Sequence, residues 1–216
     1  MQRKLGSLDR LRITMGSRNL FSRQRTDPKV RASAVMMYYK GMSFRAVAEM
    51  VGVVMESVRY WWNRLAFMFD YVRGPHGIVV ADETGILVGK KSSGRPWILW
   101  VGLDARNMQV ISLKFARYQN NLDCRDFLEE IRAKSSPENP ILIHDRGVWY
   151  EKQAEKIGML HYHVRGGVRS LIECWNRQLK HRLDGFWRVF PHNARPAQVA
   201  RWLRSYTAVW NLTRGW

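Results

Sequence analysis

Two aspartates end apolar runs in this chain of 216 residues: Asp82 closes IVVAD and Asp145 closes ILIHD. Short apolar runs of this kind read as strands, and in open α/β sheets ligands gather where strands terminate. A strand-end aspartate is also a common helix or turn cap, so each of the two carries both readings. A third acid, Glu173, stands in SLIECWNRQLKHR beside Arg177, Lys180 and Arg182. On a helix over about 169–183, Leu171, Ile172, Trp175, Leu179 and Leu183 form the buried stripe, with Glu173, Arg177, Lys180 and Asp184 along its edge. Glu173 is then either half of an i,i+4 ion pair with Arg177 or one ligand of a metal site, with Lys180 on phosphate. Were such carboxylates to converge, they would suit one chemistry well. Phosphodiester cleavage and transfer need an attacking and a leaving oxygen stabilised, and hard divalent ions held by carboxylate oxygens do this.

The other polar residues compete weakly for that role. Glu83 is the rival of Asp82, but strand side chains alternate, so only one of the pair shares a face with Asp145. Asp104 falls in the hairpin turn DARN, where aspartate bonds its own backbone. Asp123, Asp126, Glu129 and Glu130 read as the solvated face of an amphipathic helix whose apolar face is Leu122, Phe127, Leu128 and Ile131. His144, His161 and His163 flank strands and read more simply as packed or solvent-facing than as ligands. The two cysteines, Cys124 and Cys174, form no CxxC pair and no zinc spacing, and a reducing cytosol is the simplest setting.

The elements that must position these residues alternate in period. From about residue 77 the order is strand, strand, strand, helix, strand, helix, strand, helix, which predicts a mixed five-stranded sheet with three antiparallel strands and two added in parallel. The strands are GIVVADETGILV, PWILWVGL, MQVISLKFA, PILIHD and MLHYHV, with KKSSGR and DARN turning between the first three. Before the sheet, residues 28–67 are helical in pattern, with Asp27–Pro28 and Ser43 as helix starts and Gly41 as a stop. Ala48 followed by Gly52, among Val47, Val51, Val53, Val58 and Trp61, is the layout of a helix-turn-helix. An ordinary three-helix cluster has the same elements. On the first reading, Glu56, Ser57, Arg59, Tyr60 and Asn63 of the third helix face DNA. Residues 1–27 read as a basic arm, either a solubilising tail or a phosphate-binding segment. Trp202, Trp210 and Trp216 in the terminal helical stretch read as core or as a protomer contact.

Charge points to a partner. The chain carries 36 Lys and Arg against 18 Asp and Glu, and the excess is concentrated in residues 1–31 and 169–216, each with nine basic and two acidic side chains. Two basic ends around a nearly balanced centre suit a polyanion touching both, and nucleic acid fits better than a membrane surface. No apolar run approaches the roughly 18–20 residues that span a bilayer, and the basic N-terminal stretch has no apolar segment of a secretory signal. The cytoplasm, on the nucleoid, is the expected location.

ADETGILV, PWILWVGLDARN, HDRGVWY and IECWNRQLKHR together resemble the DDE transposases of bacterial and archaeal insertion sequences, most of all the insertion-sequence-six family and its archaeal members. The similarity runs over about residues 26–212. RTDPKVRASAVMMYYKGMSFRAVAEMVGV matches the family's helix-turn-helix entry, and a Lys or Arg seven residues after the catalytic glutamate is a mark of the superfamily. The resemblance implies a ribonuclease-H-like α/β domain over 71–216, preceded by a small all-α helix-turn-helix domain over 28–70. It implies that Asp82, Asp145 and Glu173 are a catalytic, metal-binding triad for Mg²⁺, with Mn²⁺ able to substitute. Lys180 is then the DNA-contacting residue, with Arg177 and Arg182 beside it. Only 27 residues separate Asp145 from Glu173, fewer than is usual in the family, so RGGVRS must link them tightly. The implied activity is cleavage of the 3′ ends of an element and their joining to target double-stranded DNA, by a homo-oligomer at least dimeric on DNA. A non-catalytic helix-turn-helix regulator and a structure-specific nuclease on the same fold are the alternatives.

Overall fold

The computed structural model describes residues 5–17, 20–21, 25–70, 72–88, 95–135, 139–145, 147–184, 189–190 and 194–214. The chain forms two compact units, Met1–Tyr71 with Arg201–Trp216, and Val72–Ala200. Most of the turn expected at KKSSGR, and Trp216, lie outside the described residues.

The first unit is helical. It comprises α1 (Ser7–Ser17), α2 (Pro28–Tyr39), α3 (Phe44–Val51), α4 (Met55–Arg64) and the single turn α5 (Ala66–Phe69). Local chemistry places the helix starts. Asp27 accepts from the Lys29 amide with Pro28 in the first turn, and Ser43 accepts from the Ala46 amide at 3.1 Å. Gly52 ends α3 at φ 68°, a left-handed conformation that a side chain resists, so the chain reverses into α4 within three residues. Val47, Ala48, Val58, Trp61 and Trp62 are buried between these helices. The expected arm differs: residues 7–17 fold as α1, because Leu11 and Met15, four apart, bury against α2.

The second unit is a sheet with helices on both faces. Its elements are β1 (Ile78–Val88), β2 (Trp97–Asp104), β3 (Val110–Ala116), α6 (Asn121–Ser135), β4 (Ile141–His144), α7 (Val148–Lys156), β5 (His161–His163), α8 (Arg169–Asp184) and β6 (Val189–Phe190). The strand order is β3-β2-β1-β4-β5. β1, β2 and β3 pair antiparallel, while β4 joins β1 and β5 joins β4 in parallel. This is a ribonuclease-H-like mixed sheet. The two-residue β6, absent from the expected order, adds in parallel to the far end of β1.

Alternation on β1 sorts the layers. Val79 and Ala81 sit in the core with Phe127, Leu128 and Ile131 of α6 and Tyr150 of α7. The even-numbered residues therefore face α8, which buries Ile172, Trp175 and Leu179. On α6 the apolar face is Cys124, Phe127, Leu128 and Ile131; Leu122, expected there, is exposed in the first turn.

The last helix, α9 (Pro196–Arg214), belongs to the first unit from Arg201 onward, although the sequence suggested one unit from 71 to the end. The reason is aromatic packing. The Trp202 indole donates to the Tyr38 hydroxyl at 2.9 Å, its ring lies 5.7 Å from that of Trp62, and Tyr206 lies 5.2 Å from Tyr39. Trp202 and Trp210 are core residues of that helical unit.

Candidate active site

Register brings the two aspartates together. In the parallel ladder Ile78 faces Ile141, Val79 faces Leu142 and Val80 faces Ile143. Continuing it by two residues sets Asp145, just past β4, beside Asp82. Both then lie on the α8 face of the sheet, at neighbouring strand ends.

Each aspartate is held by a hydrogen bond at one oxygen, and the other oxygen faces Arg169. Asp82 Oδ2 accepts from Asn176 Nδ2 on α8 at 2.9 Å. Asp145 Oδ1 accepts from the Gly147 amide at 3.0 Å, a turn that leads into α7. The cap reading of this strand-end aspartate thus holds for one oxygen, and leaves the other for chemistry. The buried His144 pins the backbone here: its Nδ1 donates to the Asp145 carbonyl, which leaves Nε2 to accept from His161 Nδ1 at 3.1 Å.

Glu173 and Asp82 line one open cleft of ≈ 330 Å³, together with Glu83, Asn176, Arg177 and Lys180. Glu173, Arg177 and Lys180 are exposed along α8, as their spacing predicts. A neighbouring hollow of ≈ 440 Å³ between Gly85–Leu87 and Lys180–Asp184 shares Arg177 and Lys180 with the cleft, so these two side chains flank a continuous depression. Arg182 does not join them. Two residues on from Lys180, it turns to the other side of α8 and is buried with Leu183, so it leaves the expected DNA-facing set.

Burial and neighbouring acids perturb the carboxyl groups here. Burial, then the carboxylates of Asp145 and Glu173, push the Asp82 carboxyl above its usual range, with Arg169 opposing them. Glu83 points to the other face, where its Oε2 accepts from the Tyr150 hydroxyl at 2.8 Å and its Oε1 from Gln119 at 2.6 Å. Burial first, and then the nearby Asp145 and Asp82, raise its pKa to about 7. Glu83 is thus tied to α7 and the segment before α6, while Asp82 faces α8.

The donor chemistry fits a hard divalent cation, since the acids offer carboxylate oxygens alone. A cationic group already lies between two of them. Arg169 Nη2 is 3.5 Å from Asp82 Oδ1 and 4.0 Å from Asp145 Oδ2. Among the described residues, no three His, Cys, Asp or Glu side chains are grouped closely enough to hold one ion.

Two residues of the site went unread in the sequence, Asn176 and Arg169. Asn176 sits next to Trp175 of the buried stripe, but its partner Asp82 lies 94 residues away, so no local signal marks the pair. Arg169 falls in the loop-like stretch RGGVRS, and it meets Asp82 and Asp145 only through the tertiary fold. The other candidates lie on α4 in the helical unit. Glu56, Arg59 and Tyr60 are exposed, and Ser57 and Asn63 are half-buried. The Arg59 guanidinium lies 5.9 Å from the Phe44 ring centre and Tyr60 meets Phe21 edge-on at 6.4 Å.

No protein-family model matches the chain. An uncharacterised protein of Methanocaldococcus jannaschii, MJ0017, is 27% identical over 199 residues, covering 90% of this chain and 91% of that one. An uncharacterised protein of Aquifex aeolicus, aq_aa24, is 34% identical over 55 residues, 26% of this chain and 46% of its own. Among solved structures, the HTLV-2 integrase catalytic core domain in complex with magnesium aligns at TM-score 0.38 and 19% identity, over 52% of this chain and 72% of that one. The Mos1 strand transfer complex aligns at TM-score 0.38 and 13% identity, over 88% and 76%. These scores are low, and the fold assignment stands on the strand order and pairing described above.

Among the described residues no helix is long and apolar enough to cross a membrane.

Proposed function

We propose that this chain is a DDE transposase of the insertion-sequence kind, which cleaves the 3′ ends of a DNA element and joins them to target DNA. The observation that carries the reading is the meeting of Asp82 and Asp145 on one face of adjacent strand ends, with Glu173 and two exposed basic residues of α8 bordering Asp82. Asp82, Asp145 and Glu173 would hold Mg²⁺ or Mn²⁺. When bound, the metal neutralises the acids and stabilises the attacking and leaving oxygens of phosphoryl transfer.

The chain's own groups do the rest. The Asn176 amide orients the Asp82 carboxylate, and the Gly147 amide and the His144 ring hold Asp145. Lys180 and Arg177 grip the phosphates on either side of the scissile bond and offset the repulsion between DNA and the acidic cleft. Glu56, Ser57, Arg59, Tyr60 and Asn63 of α4 form the surface for the terminal inverted repeats, entered through the glycine turn at Gly52 as in a helix-turn-helix. The net charge of +18 supplies the salt-dependent affinity such a partner needs. The protein acts as a dimer or larger assembly on two DNA ends.

A joining assay tests this. Labelled DNA from the segments flanking the coding region, a supercoiled plasmid target, and Mg²⁺ or Mn²⁺ against EDTA give three distinct outcomes. Metal-dependent joined product supports the proposal. Cutting without joining makes the chain a nuclease on this fold, and binding without either makes it a regulator.

A further inference from the structure

The first turn of α8 supplies a cation where the proposed metal ligands need one. Arg169 stands one helical turn ahead of Glu173, and its guanidinium faces both Asp82 and Asp145. Its side chain is 19% exposed, so the charge is largely withdrawn from water. Yet the fit is loose. The contacts of 3.5 and 4.0 Å are ion-pair distances rather than the 2.7–2.9 Å of a bidentate fork, and Nε is buried with no hydrogen-bond partner among the described residues. The group is held by charge and not by a fitted set of acceptors.

The way in which it is attached lets it leave. Gly166 and Gly167, immediately before the helix, have φ of 77° and 59°. Two successive left-handed residues form a joint that only glycine adopts freely. Residues 165–167, Val168 and Ser170 are exposed, so little packing opposes a shift of this turn. Glu173 lies on the same side of α8, four residues on, and Arg169 can swing out at the first turn while Glu173 stays anchored by the buried Ile172 and Trp175 beside it.

We propose that Arg169 is an internal counter-cation that competes with divalent metal for Asp82 and Asp145, so that metal entry requires its guanidinium to leave. This rests on the reading of those two aspartates as metal ligands. In the metal-free protein Arg169 relieves the repulsion between the acids. It is a positioning residue that sets the metal concentration at which the site assembles.

Mn²⁺ binding measured by calorimetry, and checked by the loss of the free Mn²⁺ paramagnetic signal, tests the idea without any turnover. Arg169→Gln should bind Mn²⁺ roughly ten-fold or more tightly than the wild type, because a competing unit charge has been removed from a site of low dielectric. Its metal-free melting temperature should fall, and its rise on adding Mn²⁺ should exceed that of the wild type. Arg169→Met removes the charge while keeping the aliphatic stem, so either soluble variant decides. Equal or weaker Mn²⁺ affinity in the variant overturns the role given to Arg169. The double variant Asp82→Asn with Asp145→Asn separates this from the underlying reading: if it keeps wild-type affinity, the aspartates are not the ligands. If it loses binding while Arg169→Gln is unchanged, only the counter-cation is lost. No Mn²⁺ binding by any of the proteins overturns both.

Discussion

Replacing Asn176 by aspartate exchanges a donor for an acceptor 2.9 Å from Asp82 Oδ2, with almost no change in volume. Two ionised carboxylates about 4 Å apart repel by about 4 kcal/mol at an effective dielectric of about 20. The lost hydrogen bond to a charged group adds roughly 1.5–3 kcal/mol. The folded protein avoids the full sum by binding a proton. At pH 7 that costs about 4 kcal/mol for an acid of ordinary pKa near 4, and at pH 5 only about 1.4 kcal/mol. The sign follows from proton counts. The folded state of the variant binds more protons than the unfolded chain, so its stability falls as pH rises above the unfolded pKa, by about 1.4 kcal/mol per unit. Asn176→Ala loses the same hydrogen bond and adds no charge, so its deficit stays nearly flat with pH. Urea unfolding of both variants and the wild type at pH 5, 7 and 8 reads the difference directly. Equal destabilisation of the two variants at every pH would refute the reasoning, since it would mean that Asp82 and Asn176 do not meet. Mn²⁺ should restore the aspartate variant more than the alanine one if cations bind at this cleft.

Four further outcomes are expected. Glu173→Gln should abolish strand transfer while a gel-shift titration shows DNA affinity unchanged; retained joining removes Glu173 from the triad. Lys180→Ala should weaken DNA binding and lower its salt slope by about one phosphate contact, whereas Arg182→Ala, at a buried position, should lower the melting temperature instead. At the opposite end of β1, the buried His76 Nδ1 lies 2.6 Å from Asp104 Oδ2, and although burial pushes the Asp104 carboxyl up, its hydrogen bonds from His76 and the Arg106 amide win and hold it below the usual range. A depressed carboxyl contributes stability above its unfolded pKa and loses it as pH falls through the folded one, so Asp104→Asn should cost about 3 kcal/mol at pH 7 and show a shallower acid limb than the wild type in a denaturation series. Glu83, raised to about 7 by burial, costs stability as pH climbs from its unfolded value through 7, so Glu83→Gln should be more stable than the wild type at pH 8 and not at pH 4.

Short-range patterns were read where one energy term dominates. Asp27–Pro28, Ser43 and Gly52 mark helix ends through single hydrogen bonds or a single backbone conformation, and each does so in the structure. The apolar run before Asp82 is buried on both faces of the sheet, and the helical stripe of Ile172, Trp175 and Leu179 buries the face that its spacing names. Alternation put Asp82 and Glu83 on opposite faces, because a strand has only two, but it did not say which of them meets Asp145.

What sequence could not supply were the partners that meet across long separations. His76 completes the environment of Asp104 from 28 residues away, and Asn176 reaches Asp82 from 94 residues away. Neither pairing has a local signature. Arg182 and Lys180 carry the same charge two positions apart, yet one is buried and the other exposed. Composition gave the basic character, and local patterning gave most elements of the fold, α1 and β6 excepted, since those depend on residues close in the chain. The sharing of aromatic α9 with the helical unit, and the seat of Arg169 between two aspartates, were decided by tertiary structure, because burial and charge pairing are settled only by what the folded chain brings alongside.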